Sequence, residues 1–280
     1  MARKSLQPVE EIRRQVDRIY ERNLSQRIQA VNPNDELGQL TRTFNRMLGR
    51  LQSAFESQRR FLADASHELK TPITILRSQW EKISERDDLP GELKKQIQID
   101  IEELARLAKL VDNLLLLSEI DDNRIKIEQQ PVDLNRVLHE VYEDGRILAE
   151  SKNQIIRLDV QEPATIIGDK NRLVQLFLNL VDNAVKYTPE NGEICISLIK
   201  DRGKIIVEIR DTGIGIPAKD LPHLFNRFYR VDKSRSRELG GSGLGLSICQ
   251  WIVQAHGGEI SIASKIGEGT RVRVSFKKIR

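Results

Sequence analysis

The chain has 280 residues and a mass of 32.1 kDa, with 39% hydrophobic, 31% charged and 5% aromatic residues. At about 150 residues per domain this length holds roughly two domains, and the composition suits a long helical bundle beside a modest globular part. Lys+Arg 45 against Asp+Glu 41 leaves a net charge of +4; with no zinc-finger spacing and no basic patch interleaved with aromatics, no nucleic-acid partner is expected.

Along the chain, Leu6, Val9, Ile12, Val16 and Ile19 recur at spacings of three and four. Asn23, Asn32, Pro33 and Asn34 then break the pattern, and Leu37, Leu40, Phe44, Met47, Leu51 and Phe55 resume it. Such narrow stripes predict two helices joined by an extended connector and packed across a coiled-coil-like seam. Asp35 and Glu36 place acids at the positive start of the second helix. This arrangement is too thin to fold alone, so a dimer is expected.

The stripe continues through Leu62, Ala65, Leu69, Ile73, Leu76, Trp80 and Ile83. A turn at Leu89-Pro90-Gly91 leads into a return helix bearing Leu93, Ile97, Ile101, Leu104, Ala108, Val111 and Leu115. Two such hairpins make a four-helix bundle, and the aliphatic stripes are read simply as its core.

Beyond Asp121 the texture changes to that of an α+β or α/β sandwich with a mixed sheet. Strands are expected at Arg124 to Glu128, Gln154 to Val160, Glu193 to Ile199, Lys204 to Arg210, Glu259 to Ala263 and Thr270 to Phe276. Helices are expected after Asp133, over Asn171 to Tyr187 and over Gly243 to His256, with Asn191-Gly192 as a hairpin turn. Cys195 and Cys249 share no metal-type spacing and are read as two buried, reduced thiols. No apolar run approaches the roughly 18 residues that cross a bilayer, and no signal peptide precedes the fold; the chain as given reads as soluble.

Three features of the second half point toward a nucleotide. On the helix Asn171 to Tyr187, residues Gln175, Asn179, Asp182, Asn183 and Lys186 fall within an arc of about 100°, a stripe rich in amides where Lys, Glu and Arg are usual. Amides lining a cleft can ligate a hydrated Mg²⁺, and a lysine can face phosphate; an ordinary wet helix face is the alternative. Asp211-Thr212-Gly213-Ile214-Gly215 follows a strand, and its glycines let the backbone approach a ligand. Gly240-Gly241-Ser242-Gly243-Leu244-Gly245 opens a helix whose free N–H groups suit a phosphate. Between the glycine runs lies a basic segment of lid length with Arg227, Arg230, Lys233, Arg235 and Arg237. Together, in this order, these features outweigh the plain-turn reading of each.

In the first half, His67 lies about 140° around the helix from Leu62, and Thr71 about 180° from it, so both share an outward face. Glu68 sits beside the imidazole and can orient or deprotonate it. Pro72 cannot donate to the carbonyl of Glu68, which should bend or loosen the helix one turn beyond His67. An outward imidazole, an adjacent acid and a local hinge suit a nucleophile visited by a mobile partner domain.

At this point the chain resembles the cytoplasmic part of a sensor histidine kinase of a two-component system. His67 to Pro72 is similar to that family's phosphoacceptor box, and Asn179 to Tyr187 to its asparagine box. Asp211 to Gly215, Phe225 to Tyr229 and Gly241 to Gly245 are similar to its two glycine boxes and the phenylalanine box between them. Residues 1–53 more loosely resemble a HAMP signal-relay domain, 54–122 a dimerisation and histidine-phosphotransfer domain, and 123–280 a catalytic domain. The resemblance implies an α-helical relay, a dimeric four-helix bundle of helical hairpins and an α/β sandwich of the GHKL (Bergerat) ATP-binding type.

It further implies that His67 attacks the γ-phosphate of ATP while Glu68 assists its deprotonation. Asn183 would ligate Mg²⁺, with Asn179 and Gln175 nearby. Lys186 and Arg230 would neutralise phosphate charge, Tyr187 would line the pocket, and Asp211 would accept from the adenine amine beside Gly213 and Gly215. Gly241, Gly243, Leu244 and Gly245 would form the lid hinge and phosphate cradle. The phosphoryl group would pass to an aspartate of a response regulator, and Thr71 would place water for dephosphorylating that partner. A HAMP domain ordinarily follows a membrane helix, so a homodimer anchored in the bacterial cytoplasmic membrane by an upstream transmembrane segment is implied, with this chain cytoplasmic.

Overall fold

The computed structural model describes residues 7–17, 26–29, 35–86, 88–121, 125, 127–160, 162–201, 203–232 and 241–278. The chain divides into two compact units, residues 1–124 and 125–280.

The first unit is helical. Helix α1 spans Gln7–Val16, α2 Glu36–Ser84 and α3 Gly91–Asp121. Ile12 of α1, Ile28 of the connector and Leu48 of α2 form one buried cluster, with Val16, Leu37 and Phe44 packed against it. Two side-chain amides hold the described part of the connector. Asn45 accepts from the Ile28 amide at 2.9 Å and donates to its carbonyl at 2.9 Å. Gln15 does the same for Gln29, at 2.8 and 3.3 Å. The expected positions Leu6, Ile19, Asn23, Asn32, Pro33 and Asn34 lie outside the described residues.

The second helix starts where the acids Asp35 and Glu36 were expected, and Asp35 is its N-cap, accepting from the Gly38 amide at 2.8 Å. At 1.5 Å per residue, the 49 residues of α2 run about 74 Å as one uninterrupted helix. The helix continues through Pro72, and two residues before it the Lys70 carbonyl accepts from the Thr74 hydroxyl at 2.9 Å. Helices α2 and α3 pack as a hairpin that buries Ile97, Val111, Leu116 and Leu117, yet Leu69, Ile75, Leu76, Ile83, Leu93 and Ile99 stay exposed. Two helices have one shared seam and cannot cover a second stripe.

The second unit places helices on one face of a five-stranded sheet. Its strands are β2 (Ile155–Val160), β4 (Glu193–Asp201), β5 (Lys204–Asp211), β6 (Glu259–Lys265) and β7 (Gly269–Lys277), in the order β2-β4-β5-β7-β6. Only β2 and β4 pair in parallel. The helices are α4 (Leu134–Glu150), α5 (Lys170–Tyr187) and α6 (Gly245–Ala255), with α5 packed against both of the others. The alternation of β4 and β5 turns Ile194, Ile196, Leu198, Ile205, Val207 and Ile209 inward, onto Leu173, Leu176, Phe177 and Ile248.

Three local expectations change. Of the strand expected at Arg124 to Glu128, the described residues Ile125, Ile127 and Glu128 are irregular; Arg124 and Lys126 lie outside the described residues. Instead β1 (Gln130–Asp133) pairs with β3 (Thr165–Gly168), a strand the pattern did not single out. Asn191, at a φ of 61°, turns the chain between α5 and β4, the helix and strand it was expected to join, so the turn is not that of a β-hairpin; β4 pairs antiparallel with β5, Asp201 opposite Lys204. Neither cysteine forms a disulfide, but only Cys249 is buried; Cys195, on the solvent face of β4, is half-buried. Among the described residues no helix is long and apolar enough to cross a membrane.

Candidate functional site

On α2, neighbouring positions separate sharply. Ser66 is buried and donates to the Leu62 carbonyl at 2.7 Å, whereas His67, Glu68 and Thr71 are exposed. The outward face read from the helical wheel is therefore present. Lys70 on the same segment reaches Asp112 of α3 at 2.7 Å. Neither the imidazole nor the Glu68 carboxylate bonds a described residue, so the structure does not join those two side chains. As i and i+1 neighbours they point roughly 100° apart.

In the second unit, the end of α5 meets the loop after β5, and α6 packs along α5. Asn179, Asn183, Lys186 and Tyr187 are half-buried along α5. Lys186 is held by Asp182 at 2.9 Å, one turn earlier, with both side chains mostly covered. Gln175 accepts from Arg172 at 3.0 Å. The Asn179 amide nitrogen is buried without a partner.

Strand β5 ends on Asp211, which is 7% exposed. Its Oδ1 accepts from the amides of Gly213 at 2.8 Å and Thr270 at 3.1 Å, and no described residue binds Oδ2. Burial pushes its carboxyl pKa up, and those two amides pull it back down. The loop is locked to its surroundings: the Ile214 amide donates to the Tyr187 carbonyl at 3.2 Å. A Cβ on Gly213 would lie 2.6 Å from Asp211 Oδ1 and 2.7 Å from that same carbonyl. Gly215 has a φ of +72°, and a Cβ there would strike the Lys265 carbonyl at 2.0 Å.

Helix α6 begins at Gly245 with no side-chain cap, and Leu244 before it is fully buried. The Phe228 amide donates to the Gly243 carbonyl at 2.9 Å. Tyr229 donates to the buried Asp220 at 2.7 Å, which raises the phenol pKa. The Arg230 Nε and one terminal nitrogen are buried with no partner. Buried guanidinium nitrogens with no hydrogen-bond partner among the described residues suit a phosphate, as do the uncapped N–H groups that open α6. The positions Lys233, Arg235, Arg237 and Gly240 lie outside the described residues.

The structure therefore brings together the α5 stripe, Asp211, Gly213, Gly215 and the Gly241–Gly245 turn in one unit, and leaves His67, Glu68 and Thr71 in the other. Sequence reasoning missed the Thr270 amide, a backbone donor with no residue signature. It also missed the Asp220–Tyr229 bond and the pairing of Lys186 with Asp182.

Residues 1–53 match the HAMP domain family, 57–123 the His Kinase A (phospho-acceptor) domain, and 168–280 the histidine kinase-, DNA gyrase B- and HSP90-like ATPase family. The signal transduction histidine-protein kinase ArlS of Staphylococcus aureus is 41% identical over 255 residues, covering 86% of this chain and 54% of ArlS; the chain spans about half the length of the curated relatives it matches. Among solved structures, full-length ShkA in complex with AMPPNP superposes with a TM-score of 0.66 at 28% identity, over 79% of this chain and 46% of ShkA. The Acinetobacter baumannii histidine kinase AdeS, at 24% identity and a TM-score of 0.54 over 76% of this chain and 98% of AdeS, shares the fold.

Proposed function

The chain belongs to the sensor histidine kinases of two-component systems, and on that premise we propose that it phosphorylates its own His67 from ATP. We propose further that it passes the phosphoryl group to an aspartate of a response regulator. The observation that carries this reading is the pairing, in one chain, of an exposed imidazole on a packed helix with buried Asn179 and Arg230 donors that have no hydrogen-bond partner among the described residues.

In this reading residues 1–53 relay a signal, 54–122 dimerise and carry the phosphoryl group, and 123–280 hold ATP. The uncovered stripe Leu69, Leu76, Ile83 and Leu93 supports a homodimer, because a second hairpin would bury it as a four-helix core. Asp211 Oδ2 accepts from the adenine amine while Oδ1 stays with Gly213 and Thr270. Tyr187 lines the base pocket, and Gly213 and Gly215 keep it open. Lys186 and Arg230 bind phosphate oxygens, and Gln175 and Asn179 support that wall. The turn Gly241, Gly243, Leu244 and Gly245 seats the phosphates at the start of α6.

A divalent cation fits this cleft: Asn183 offers an amide oxygen, a hard ligand suited to Mg²⁺, and the phosphates supply the remainder. When bound, Mg²⁺ neutralises phosphate charge. The imidazole of His67 attacks the γ-phosphorus, the bond to the β-bridging oxygen breaks, and ADP leaves. Glu68 takes the proton of the other ring nitrogen, a contact that must form on approach of the nucleotide. Positioning and charge stabilisation carry this transfer. Thr71, one turn beyond His67, orients water for dephosphorylating the regulator. The family and the HAMP match support an upstream transmembrane segment in the longer protein.

The test is His67→Gln. The variant should take no acid-labile label from γ-labelled ATP and still bind ATP with wild-type affinity. Labelling that persists removes His67 as the nucleophile.

A further inference from the structure

The C-terminal end of α5 is where Asn183, Lys186 and Tyr187 project, and it needs partners for its last carbonyls. No glycine follows to close it; Thr188 leaves the helix in extended conformation, φ −88° and ψ 131°. The Ala184 carbonyl takes the Thr188 amide at 3.0 Å, and the Tyr187 carbonyl takes Ile214. The remaining carbonyls are taken by two side chains from the turn between α4 and β2. Lys152 Nζ donates to the carbonyls of Val185 and Lys186, each at 2.9 Å, and to Thr188 at 3.5 Å. Gln154 Nε2 donates to Val185 at 3.0 Å, Thr188 at 2.6 Å and Pro189 at 3.3 Å. The backbone completes the lacing, the Asn191 amide donating to the Lys152 carbonyl at 3.1 Å.

We propose that Lys152 is a positioning residue for ATP binding, its ammonium clamping the C-terminal carbonyls of α5 so that Asn183, Lys186 and Tyr187 stand in register with the Asp211–Gly215 loop. Its charge lies at the negative end of the α5 dipole, where a cation is stabilising. The ammonium is spent on backbone oxygens, so it acts through α5 and not on the nucleotide itself. The coupling to the base pocket is direct, since the next carbonyl in line, that of Tyr187, receives the Ile214 amide, and the Tyr187 carbonyl also abuts Gly213. Loosening the clamp therefore displaces one wall of the cleft against the other before ATP arrives, and binding must restore the register. The cost falls on ground-state binding; once ATP is seated the reacting groups are in place.

This inference rests on the reading of the cleft as an ATP site. The experiment is autophosphorylation of the full chain against ATP concentration for the wild type, Lys152→Met and Lys152→Arg. Loss of a hydrogen-bonded charge predicts a KM for ATP raised about tenfold in Lys152→Met, with kcat retained. Lys152→Arg keeps charge and donors and should return KM toward the wild type. A Lys152→Met protein with lowered Tm or lowered kcat at unchanged KM overturns the proposal, because a merely structural clamp reduces the active fraction and not its affinity. If Lys152→Met does not fold, Lys152→Gln keeps a donor without the charge; it should raise KM about threefold, and an unchanged KM again overturns the proposal. Wild-type protein that binds no ATP overturns the reading of the cleft as well, which separates the two failures.

Discussion

Asp211 gives the sharpest test of the cleft, because the structure divides the work of its two oxygens. Oδ1 is committed to the Gly213 and Thr270 amides, at 2.8 and 3.1 Å, which leaves Oδ2 as the remaining acceptor. In Asp211→Asn the two fixed N–H donors force the amide oxygen into the Oδ1 position. The NH₂ group must then stand where Oδ2 stood. Toward adenine, an acceptor facing an amine becomes a donor facing an amine. A hydrogen bond to a charged group contributes about 1.5–3 kcal/mol, and about 1.4 kcal/mol is a factor of ten, so ATP should bind roughly ten- to a hundredfold more weakly. Guanine carries a carbonyl oxygen at the same position; the variant should therefore bind GTP no worse than the wild type does, and the ATP preference should shrink or invert. The fold should survive, since the substitution removes a carboxylate whose burial is unfavourable. Calorimetric titration of wild type and variant with both nucleotides reads all of this. An unchanged ratio of ATP to GTP affinity would refute the assignment of Asp211 to the base.

Two further outcomes are expected. Thr71→Ala should label from ATP at the wild-type rate while dephosphorylating a phosphorylated regulator more slowly; equal loss of both activities would indicate a defect in α2 instead. His256, at the C-terminal end of α6, accepts from the Asp169 amide at 3.0 Å through Nε2, and its Nδ1 lies 2.7 Å from the Ile252 carbonyl. Burial lowers its pKa below the ordinary 6.5. The unfolded chain then binds the proton more readily, so the stability from neutral His256 is complete above that ordinary value and is lost as pH falls toward the folded pKa. Urea unfolding of the full chain between neutral and mildly acidic pH should show this decline, and His256→Gln should flatten it; equal slopes in both proteins would exclude the histidine as the cause.

How much of this was legible beforehand depends on how local each signal is. The long helices, the acidic start of α2, the outward face of His67 and most strands of the sheet follow from periodicity and from end-of-helix chemistry, which act over a few residues. The glycine runs and the amide stripe were likewise visible, because each lies within one short segment. Where only local pattern was available it also misled: the described residues Ile125, Ile127 and Glu128 form no strand, whereas Gln130–Asp133 pairs with Thr165–Gly168. Asn191-Gly192 has a hairpin's residues but follows a helix.

By itself, then, the sequence determined which segments become helix or strand and which short runs carry nucleotide chemistry, since backbone preference and side-chain period are properties of neighbouring residues. Tertiary structure alone decided who holds those runs in place. The amide that orients Asp211 comes from Thr270, 59 residues away, and the ammonium that closes α5 comes from Lys152, 33 residues before Val185. Such partners meet only when packing folds distant segments together, and a backbone carbonyl or amide leaves no mark on the residue that supplies it.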